Sequence, residues 1–418
     1  MKAKKEKKRH QKNKGHKNEE PVRKFWRKKP QTHTQMVYTF MTIQFQKLKQ
    51  ELTSVFQKTL EEEPLGGASL ALYHRGEKVL SLYGGWKDAA ATQPWEADTI
   101  TLIWSAGKGI GSACLLHALQ ENKISLETTV GKFWPEFAQA GKKEITIAQL
   151  LSHRIGLAAL DQKGLSLTDH EAIVKALAVQ VPNWPYDGSH GYGARTFGYL
   201  IDELLRRITG VTSLAYYWRT QFADPLSLDL WFGLPENLIS KTADVIPAKI
   251  APPPSPFGTA YADQTSLTRR TFMEPGGSFS ALAMNQPTLR QASIISSGAI
   301  STAEALAKFY SLLATQEETP YLNTTTRRWM ETPITSGLDR VLMAETTFSA
   351  GFMMNGNPKI FPSERSFGHP GAGGTTAFAI PEHELGFAFL PNAMHHGVLS
   401  GTRTQRFIEA FRALNEAH

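Results

Sequence analysis

Apolar and polar positions alternate in blocks along this chain, and the period inside each block predicts an element. Residues 41–60 place Met41, Ile43, Phe45, Leu48, Leu52, Val55, Phe56 and Leu60 at three- and four-residue spacings, with Lys, Gln and Glu between them. That period predicts an amphipathic helix. Residues 68–73 and 78–83 are β-rich runs on either side of Arg75-Gly76, bounded by Gly66-Gly67 and Gly84-Gly85. They read as a hairpin. Residues 106–120 are apolar with helical period and end near Asn122, and 145–151 form a shorter helix stopped by Ile155-Gly156. To about residue 235 the pattern is helical segments split by loops. The clearest are 169–179 and 198–207, the second with Gly210 as its stop signal. Residues 242–292 are loop-rich, with Pro252-Pro253-Pro254 and Pro256. Residues 302–315 predict a helix, with Ser301 or Thr302 as N-cap and Glu304 in the first turn. Residues 375–380 and 386–391 read as a second hairpin around Pro381-Glu382-His383-Glu384. Residues 402–415 close the chain as an amphipathic helix with Phe407, Ile408, Phe411 and Leu414 on its apolar face.

Strands near both ends with helices between them predict an α+β protein. We expect residues 41–110 and 293–418 to form one discontinuous α+β domain, an antiparallel sheet flanked by N- and C-terminal helices. Residues 111–292 would be an inserted, mostly helical and loop-rich domain, and a site between the two is natural.

The charge changes only the picture of the N-terminus. Residues 1–40 hold 14 Lys or Arg against three Glu, so the other 378 residues are net −3 although the whole chain is +8. The basic character belongs to a leader with almost no apolar residues, read as disordered to roughly Lys29. Three readings of it stay open: a solvated extension, a segment touching anionic partners, or an over-long gene model with Met36 or Met41 as the start. The body gives no charge argument for nucleic-acid binding. Phe25-Trp26 is followed by Arg27-Lys28-Lys29, so the apolar run of an export signal is missing, and no run of 18 apolar residues suggests a membrane span. The single cysteine, Cys114, rules out an intramolecular disulfide and a multi-cysteine metal site, and reads as a buried helix residue. These features point to a reducing, cytoplasmic location.

Ser105-Ala106-Gly107-Lys108 is the one Ser-x-x-Lys in the chain and sits where an irregular segment enters an apolar helix. Positions i and i+3 share a helix face, so Lys108 can reach Ser105. The helix N-terminus adds unpaired N–H groups and a positive dipole end. A serine hydroxyl needs a neighbouring base, and a desolvated lysine can be one. Alone, the tetrapeptide reads more readily as a capping serine and a solvated lysine. Tyr192, in His190-Gly191-Tyr192-Gly193-Ala194, is either a packing residue or a proton shuttle beside a cation. His369-Pro370-Gly371-Ala372-Gly373-Gly374 precedes the last hairpin, and its glycines let a ligand approach the backbone. His153 reads as structural and His395-His396 as a loop. The histidines have no metal-ligand spacing, and nothing calls for a cofactor. No Gly-x-Ser-x-Gly occurs, which counts against the α/β-hydrolase arrangement.

These elements, in this order, resemble serine β-lactamases, penicillin-binding peptidases and, most closely, the esterases sharing their fold, of the class C-like, family VIII carboxylesterase type. The resemblance runs from about Ala68 to Met394. Ser105-x-x-Lys108, preceded by Trp104, matches the first motif. His190-Gly191-Tyr192 followed by Phe197-Gly198-Tyr199-Leu200 resembles the second, and Phe367 to Gly374 the third. The resemblance implies a β-lactamase/transpeptidase-like fold and an acyl-enzyme mechanism. Ser105 is then the nucleophile, Lys108 and Tyr192 share the base role, and the backbone N–H groups of Ser105 and Ala372 form the oxyanion hole. Trp104, His369 and Gly371 would contact substrate.

Two departures matter. The second motif reads Tyr192-Gly193-Ala194 where β-lactamases often have Tyr-x-Asn or Tyr-x-Ser; a literal Tyr321-Leu322-Asn323 stands far from the expected segment. The third motif begins with His369 in place of the lysine that helps hold a substrate carboxylate. Small uncharged esters therefore fit better than penicillins or D-Ala-D-Ala peptides. A β-lactamase or peptidase, an acyltransferase and a non-catalytic ligand-binding relative remain rivals. The oligomeric state stays open.

Overall fold

The computed structural model describes residues 35–249, 253–278, 280–357, 359–397, 399 and 401–412. The leader up to position 34, Pro252, and Leu414 and Asn415 of the expected last helix lie outside them. The strands are β1 (Gly67–His74), β2 (Glu77–Gly85), β3 (Thr101–Leu102), β4 (Leu230–Phe232), β5 (Ala299–Ser301), β6 (Thr335–Leu338), β7 (Glu345–Phe348), β8 (Met353–Met354), β9 (Phe367–Gly371), β10 (Thr375–Ile380) and β11 (Leu385–Pro391). Eight of them form one sheet in the order β2-β1-β11-β10-β9-β8-β7-β6, and β3-β5-β4 form a small second sheet. The helices that matter most here are α1 (Gln35–Glu62), α2 (Gly107–Glu121), α3 (Thr196–Thr209), α4 (Leu267–Met273), α5 (Ala303–Ala314) and α6 (Thr402–Arg412).

The two expected hairpins meet edge to edge, because β1 pairs antiparallel with β11. Side chains alternate between the faces of a strand, and here the alternation sorts residues by size. Leu70, Leu72, Phe378, Phe387 and Phe389 pack with Leu48, Leu52 and Phe56 of α1 and Phe407 and Phe411 of α6. On the opposite face Ala71 and Ala377 both pair with Ala388 in register, and this row of small residues shares a core with Leu306, Phe309 and Tyr310 of α5. Helices thus cover the central strands on both sides, which is why those strands read as nearly continuous apolar runs.

The helix starts follow local chemistry. Thr302 caps α5 by accepting from the Ala305 N–H, Asp169 caps the helix His170–Val179, and Thr146 with Gln149 forms a capping box on Ile147–Leu151. Gly210 ends α3 in the left-handed conformation. Helix α2 is buried from Gly107 to Leu119 and packs against α3. Position 110, the expected edge of the inserted region, lies inside α2. The loop-rich region 242–292 holds four short helical segments, at Pro256–Ala262, α4, Ala281–Asn285 and Pro287–Gln291. No helix among the described residues is long and apolar enough to cross a membrane.

Gly386 marks the tightest contact between sheet and helix. A Cβ placed there would lie 2.1 Å from the Ser311 nitrogen and 2.2 Å from the Ala307 oxygen, both in the backbone of α5. Neither can move without displacing the helix, so Gly386→Ala is expected to destabilise the fold by about 3 kcal/mol, the upper range for overpacking. Urea unfolding would show this as a lowered midpoint with an unchanged slope. A midpoint equal to wild type would refute the contact.

Candidate active site

Ser105 stands in a sharp turn. Residues Trp104–Ala106 form a single 3-10 turn that runs directly into α2. Trp104 adopts a left-handed backbone, φ 51°, a conformation that costs a bulky residue energy and persists only where the surroundings impose it. Gly371 lets the end of β9 come close to this turn: a Cβ at that position would fall 2.4 Å from the Ile103 oxygen and 3.2 Å from the Trp104 Cβ. The 3-10 turn Ala372–Gly374 is thereby brought beside Ser105. Trp104, Ser105 and Ala372 line one cavity of about 140 Å³, whose other walls include Leu167, Tyr199 and Met284.

Lys108, one turn into α2, is fully buried. Its Nζ lies 3.2 Å from Ser105 Oγ and 2.8 Å from each of the carbonyl oxygens of Ala194 and Ser296. Desolvation pushes its pKa well below the ordinary lysine range. A neutral amine has two N–H groups and one lone pair. With both N–H groups donated to the two carbonyls, the lone pair is left facing the Ser105 hydroxyl, the arrangement a general base requires.

Tyr192 lies across the lysine, with Nζ 4.9 Å from its ring centroid. Its Oη sits beside the Ser105 hydroxyl without completing a well-aligned hydrogen bond. Burial raises its pKa, the neighbouring Ser105 lowers it, and the Asp339 charge raises it further. The phenol is therefore protonated at neutral pH and is a proton donor in the resting protein.

The loop carrying Tyr192 is held by residues whose sequence gives little sign of it. His153 accepts the Gly193 N–H on Nδ1 at 3.2 Å, and its carbonyl accepts the Gly191 N–H at 3.1 Å. Asp339, wholly buried, accepts the N–H groups of Tyr192, Val341 and Leu342 on one oxygen. Desolvation outweighs those bonds and raises its pKa to about 6. His190, expected as part of the second motif, hydrogen-bonds Thr346 and Thr335 through its two ring nitrogens. The only local hint at Asp339 is its turn-like setting, Gly337-Leu338-Asp339-Arg340, since Asp commonly satisfies nearby backbone N–H groups.

His369 is buried against Tyr192, ring centroids 5.7 Å apart, and is not part of the cavity wall. Its Nδ1 donates to the Pro370 carbonyl at 2.7 Å while Nε2 has no partner among the described residues. Burial above all, with the proximity of the Lys108 amine adding to it, lowers its pKa to about 3, so it is neutral. Tyr321 of the literal Tyr-x-Asn packs instead against His117 and Phe222, and Asn323 caps the helix Thr324–Glu331. Cys114 is a buried free thiol, and His395 pairs with Glu63. Among the described residues no group of three or more His, Cys, Asp or Glu could hold a metal.

A half-exposed serine beside a buried lysine and a buried tyrosine, on a mixed α/antiparallel sheet fold, is an arrangement suited to acyl transfer. The β-lactamase family model matches residues 52–409, and the chain belongs to that family. It is 30% identical over 355 residues to "Esterase/beta-lactamase LipL" of Mycobacterium tuberculosis, covering 79% of this chain and 77% of that protein. The crystal structure of a family VIII carboxylesterase superposes with a TM-score of 0.78 at 28% identity, over 88% of this chain and 97% of the other. A penicillin-binding protein homologue from Caulobacter crescentus superposes equally, TM-score 0.78 at 29% identity, over 88% and 96%. The protein is a serine hydrolase of the β-lactamase/transpeptidase-like fold.

Burying Lys108 has a cost that depends on pH. The folded chain releases the amine's proton at a lower pH than the unfolded chain, which protonates it below about pH 10.4. Between the lowered pKa and that value the unfolded state binds more protons, so stability rises with pH. The stability of wild type relative to Lys108→Met should therefore increase from pH 7 to pH 9, by up to about 1.4 kcal/mol per unit. Parallel urea curves for the two proteins across that range would show instead that Lys108 is charged in the fold.

Proposed function

We propose that the protein is a carboxylesterase acting on uncharged esters through an acyl-enzyme on Ser105, with Lys108 as base and Tyr192 as proton donor. The observation that carries this reading is the Lys108 amine, held by two carbonyls with its third direction on Ser105 Oγ.

In this mechanism Ser105 Oγ attacks the ester carbonyl carbon as its proton passes to Lys108 Nζ. The carbonyl oxygen becomes an oxyanion facing the backbone N–H groups of Ser105 and Ala372, beside the positive end of α2. Tyr192 Oη gives its proton to the departing alkoxide, and the Lys108 ammonium, which lies over the Tyr192 ring, restores a proton to the phenolate through the Ser105 hydroxyl side of the site. The C–O bond to the alcohol breaks and the acyl group remains on Ser105. Water then attacks the acyl carbon as Lys108 takes its proton; the bond to Ser105 Oγ breaks, the Lys108 ammonium returns that proton to the serine oxygen, and the acid leaves with both groups in their resting state. The raised pKa of Tyr192 suits donation, and the lowered pKa of Lys108 suits proton removal, so the two roles divide by environment.

Ester preference rests on charge. The position where related β-lactamases and peptidases carry lysine holds His369, neutral and buried. The cationic side chain in the cavity wall, Arg195, donates to the carbonyls of Met273, Pro275 and Ser278. Its hydrogen bonds are largely committed to the protein.

Incubation with a fluorophosphonate should give a single adduct on Ser105, alongside turnover of p-nitrophenyl acetate and butyrate and little turnover of nitrocefin. Ser105→Ala should remain folded and lose both adduct and turnover. Lys108→Arg should lose about 10³-fold or more in kcat/KM, because a guanidinium does not give up its proton and so offers no base. Wild-type activity in purified Ser105→Ala would refute the assignment. Nitrocefin turnover exceeding that of the esters would replace it with a β-lactamase reading.

A further inference from the structure

The cavity at Ser105 has a larger neighbour. A second cavity of about 380 Å³ is walled by Pro247, Phe257, Tyr261, Phe272, Ala281 and Met394. Phe272 lines both cavities. Two further links make them adjacent. The single 3-10 segment Ala281–Asn285 gives Ala281 to the larger cavity and Met284 to the smaller. Met394 of the larger cavity packs against Gly373, where a Cβ would lie 2.7 Å from its Cγ, and Gly373 follows Ala372 of the smaller cavity.

Phe272 is a fixed partition and not a loose side chain. It packs edge-on against Phe257 and Tyr261, at centroid distances of 5.6 and 6.0 Å. The helix that carries it, α4, is tied at its end by Arg195, which donates to Met273 at 3.2 Å, to Ser278 at 2.6 Å and to Pro275. Its first turn is tied by Thr268, which donates to the Val341 carbonyl at 2.8 Å. Arg195 directly follows Ala194, whose carbonyl receives Lys108 Nζ. The partition is thus anchored to the catalytic loop itself.

The sizes and walls point to a division of labour. An apolar cavity of about 150 Å³ can hold one benzene ring, so the smaller cavity, about 140 Å³, accommodates the reacting ester and one small group. The larger one offers aromatic, proline and alanine surface together with His395 and His396. Such a surface suits an apolar chain or ring, and His395 is already paired with Glu63. We propose that the substrates are uncharged esters bearing one extended apolar arm, which passes Phe272 into the larger cavity, and that Phe272 sets how readily the arm enters. This rests on the esterase reading above and narrows its substrate class. Acyl chain and alcohol are both possible sources of the arm, and the test separates them.

Two substrate pairs are compared on the full chain: p-nitrophenyl acetate with p-nitrophenyl octanoate for an acyl arm, and ethyl acetate with octyl acetate, followed by acid release, for an alcohol arm. The readout is the long-to-short ratio of kcat/KM. In one pair the wild-type ratio should exceed one, Ala281→Trp should lower it about tenfold or more by filling the larger cavity, and Phe272→Ala should raise it. Changes of this size are what lost or gained methylene contacts produce in an apolar pocket. Ala248→Trp, on the same cavity, serves if Ala281→Trp does not fold. Ratios that stay within twofold of wild type in both pairs, with short esters still hydrolysed, would overturn the proposal and leave the esterase reading intact. No turnover of any of the four and no fluorophosphonate adduct would remove the esterase reading, and this proposal with it.

Discussion

The site depends on a buried amine that has no counter-ion among the described residues. Lys108 Nζ meets two carbonyl oxygens and a hydroxyl, and no carboxylate. A charge in that position would be expensive, and a neutral amine is affordable only when its N–H groups are satisfied. The two carbonyls that satisfy them come from distant parts of the chain: Ala194 just before α3, and Ser296 in the turn before β5. Placing one lone pair on Ser105 therefore requires three segments to converge, and the surrounding polar contacts hold them there. The Ser296 hydroxyl donates to the Arg195 carbonyl and accepts the Gly198 N–H. The same short turn thereby fixes the end of the loop that faces Lys108 and the first turn of α3.

That convergence explains why so many polar groups lie buried around the site. Asp339 is wholly buried and its pKa is raised to about 6, a sign that the carboxylate would be more comfortable in water. Its use is as a clamp: three backbone N–H groups converge on one oxygen, and one of them belongs to Tyr192. His153, itself in a left-handed backbone conformation with φ 60°, takes two more N–H groups of the same loop. A fully satisfied polar network in a low-dielectric interior is stiff, and a proton donor is effective only if its hydroxyl stays within reach of the reacting atoms. The strain at Trp104 belongs to the same set of costs, because the turn it makes presents Ser105 to the cavity.

The features legible in the sequence are those that local period and spacing encode. The β-rich runs of both hairpins, the capped helix after Thr302, and the i, i+3 relation of Ser105 and Lys108 are visible because each is decided within a few residues. Tyr192 and Ala372 were reachable only by resemblance, since a tyrosine or alanine on a glycine-rich loop carries no local signal of chemistry. Strand β9 was hidden because Phe-Gly-His-Pro-Gly has poor strand propensity and is held by its neighbours β8 and β10. Ser296 and Arg195 are not legible in the sequence and Asp339 only as a turn residue, because their importance lies in burial and in partners far along the chain. Region 242–292 was read as loops, and its short helices carry Phe272. Their cores are shared with other segments, so no apolar period of their own reveals them.

The neutral residue at position 369 follows from the same electrostatics. Lys108 is near enough to His369 to help lower its pKa, so a permanent cation at 369 would add like charge to a buried amine and press its pKa lower still. A neutral histidine spares that interaction and gives up an ionic handle for the substrate. With Arg195 committed to three carbonyls, the described cavity offers little to grip a carboxylate. In the mechanism we propose, oxyanion stabilisation falls to backbone N–H groups and the start of α2, neither of which depends on the rest of the substrate. On that reading, discrimination among substrates falls to shape and apolar area, where contacts are non-directional and grow with the surface covered. A site of this kind recognises what an ester carries beyond its reacting group chiefly through the walls around it, and the aromatic partition at Phe272 is the part of those walls closest to deciding how much of that surface a substrate can reach.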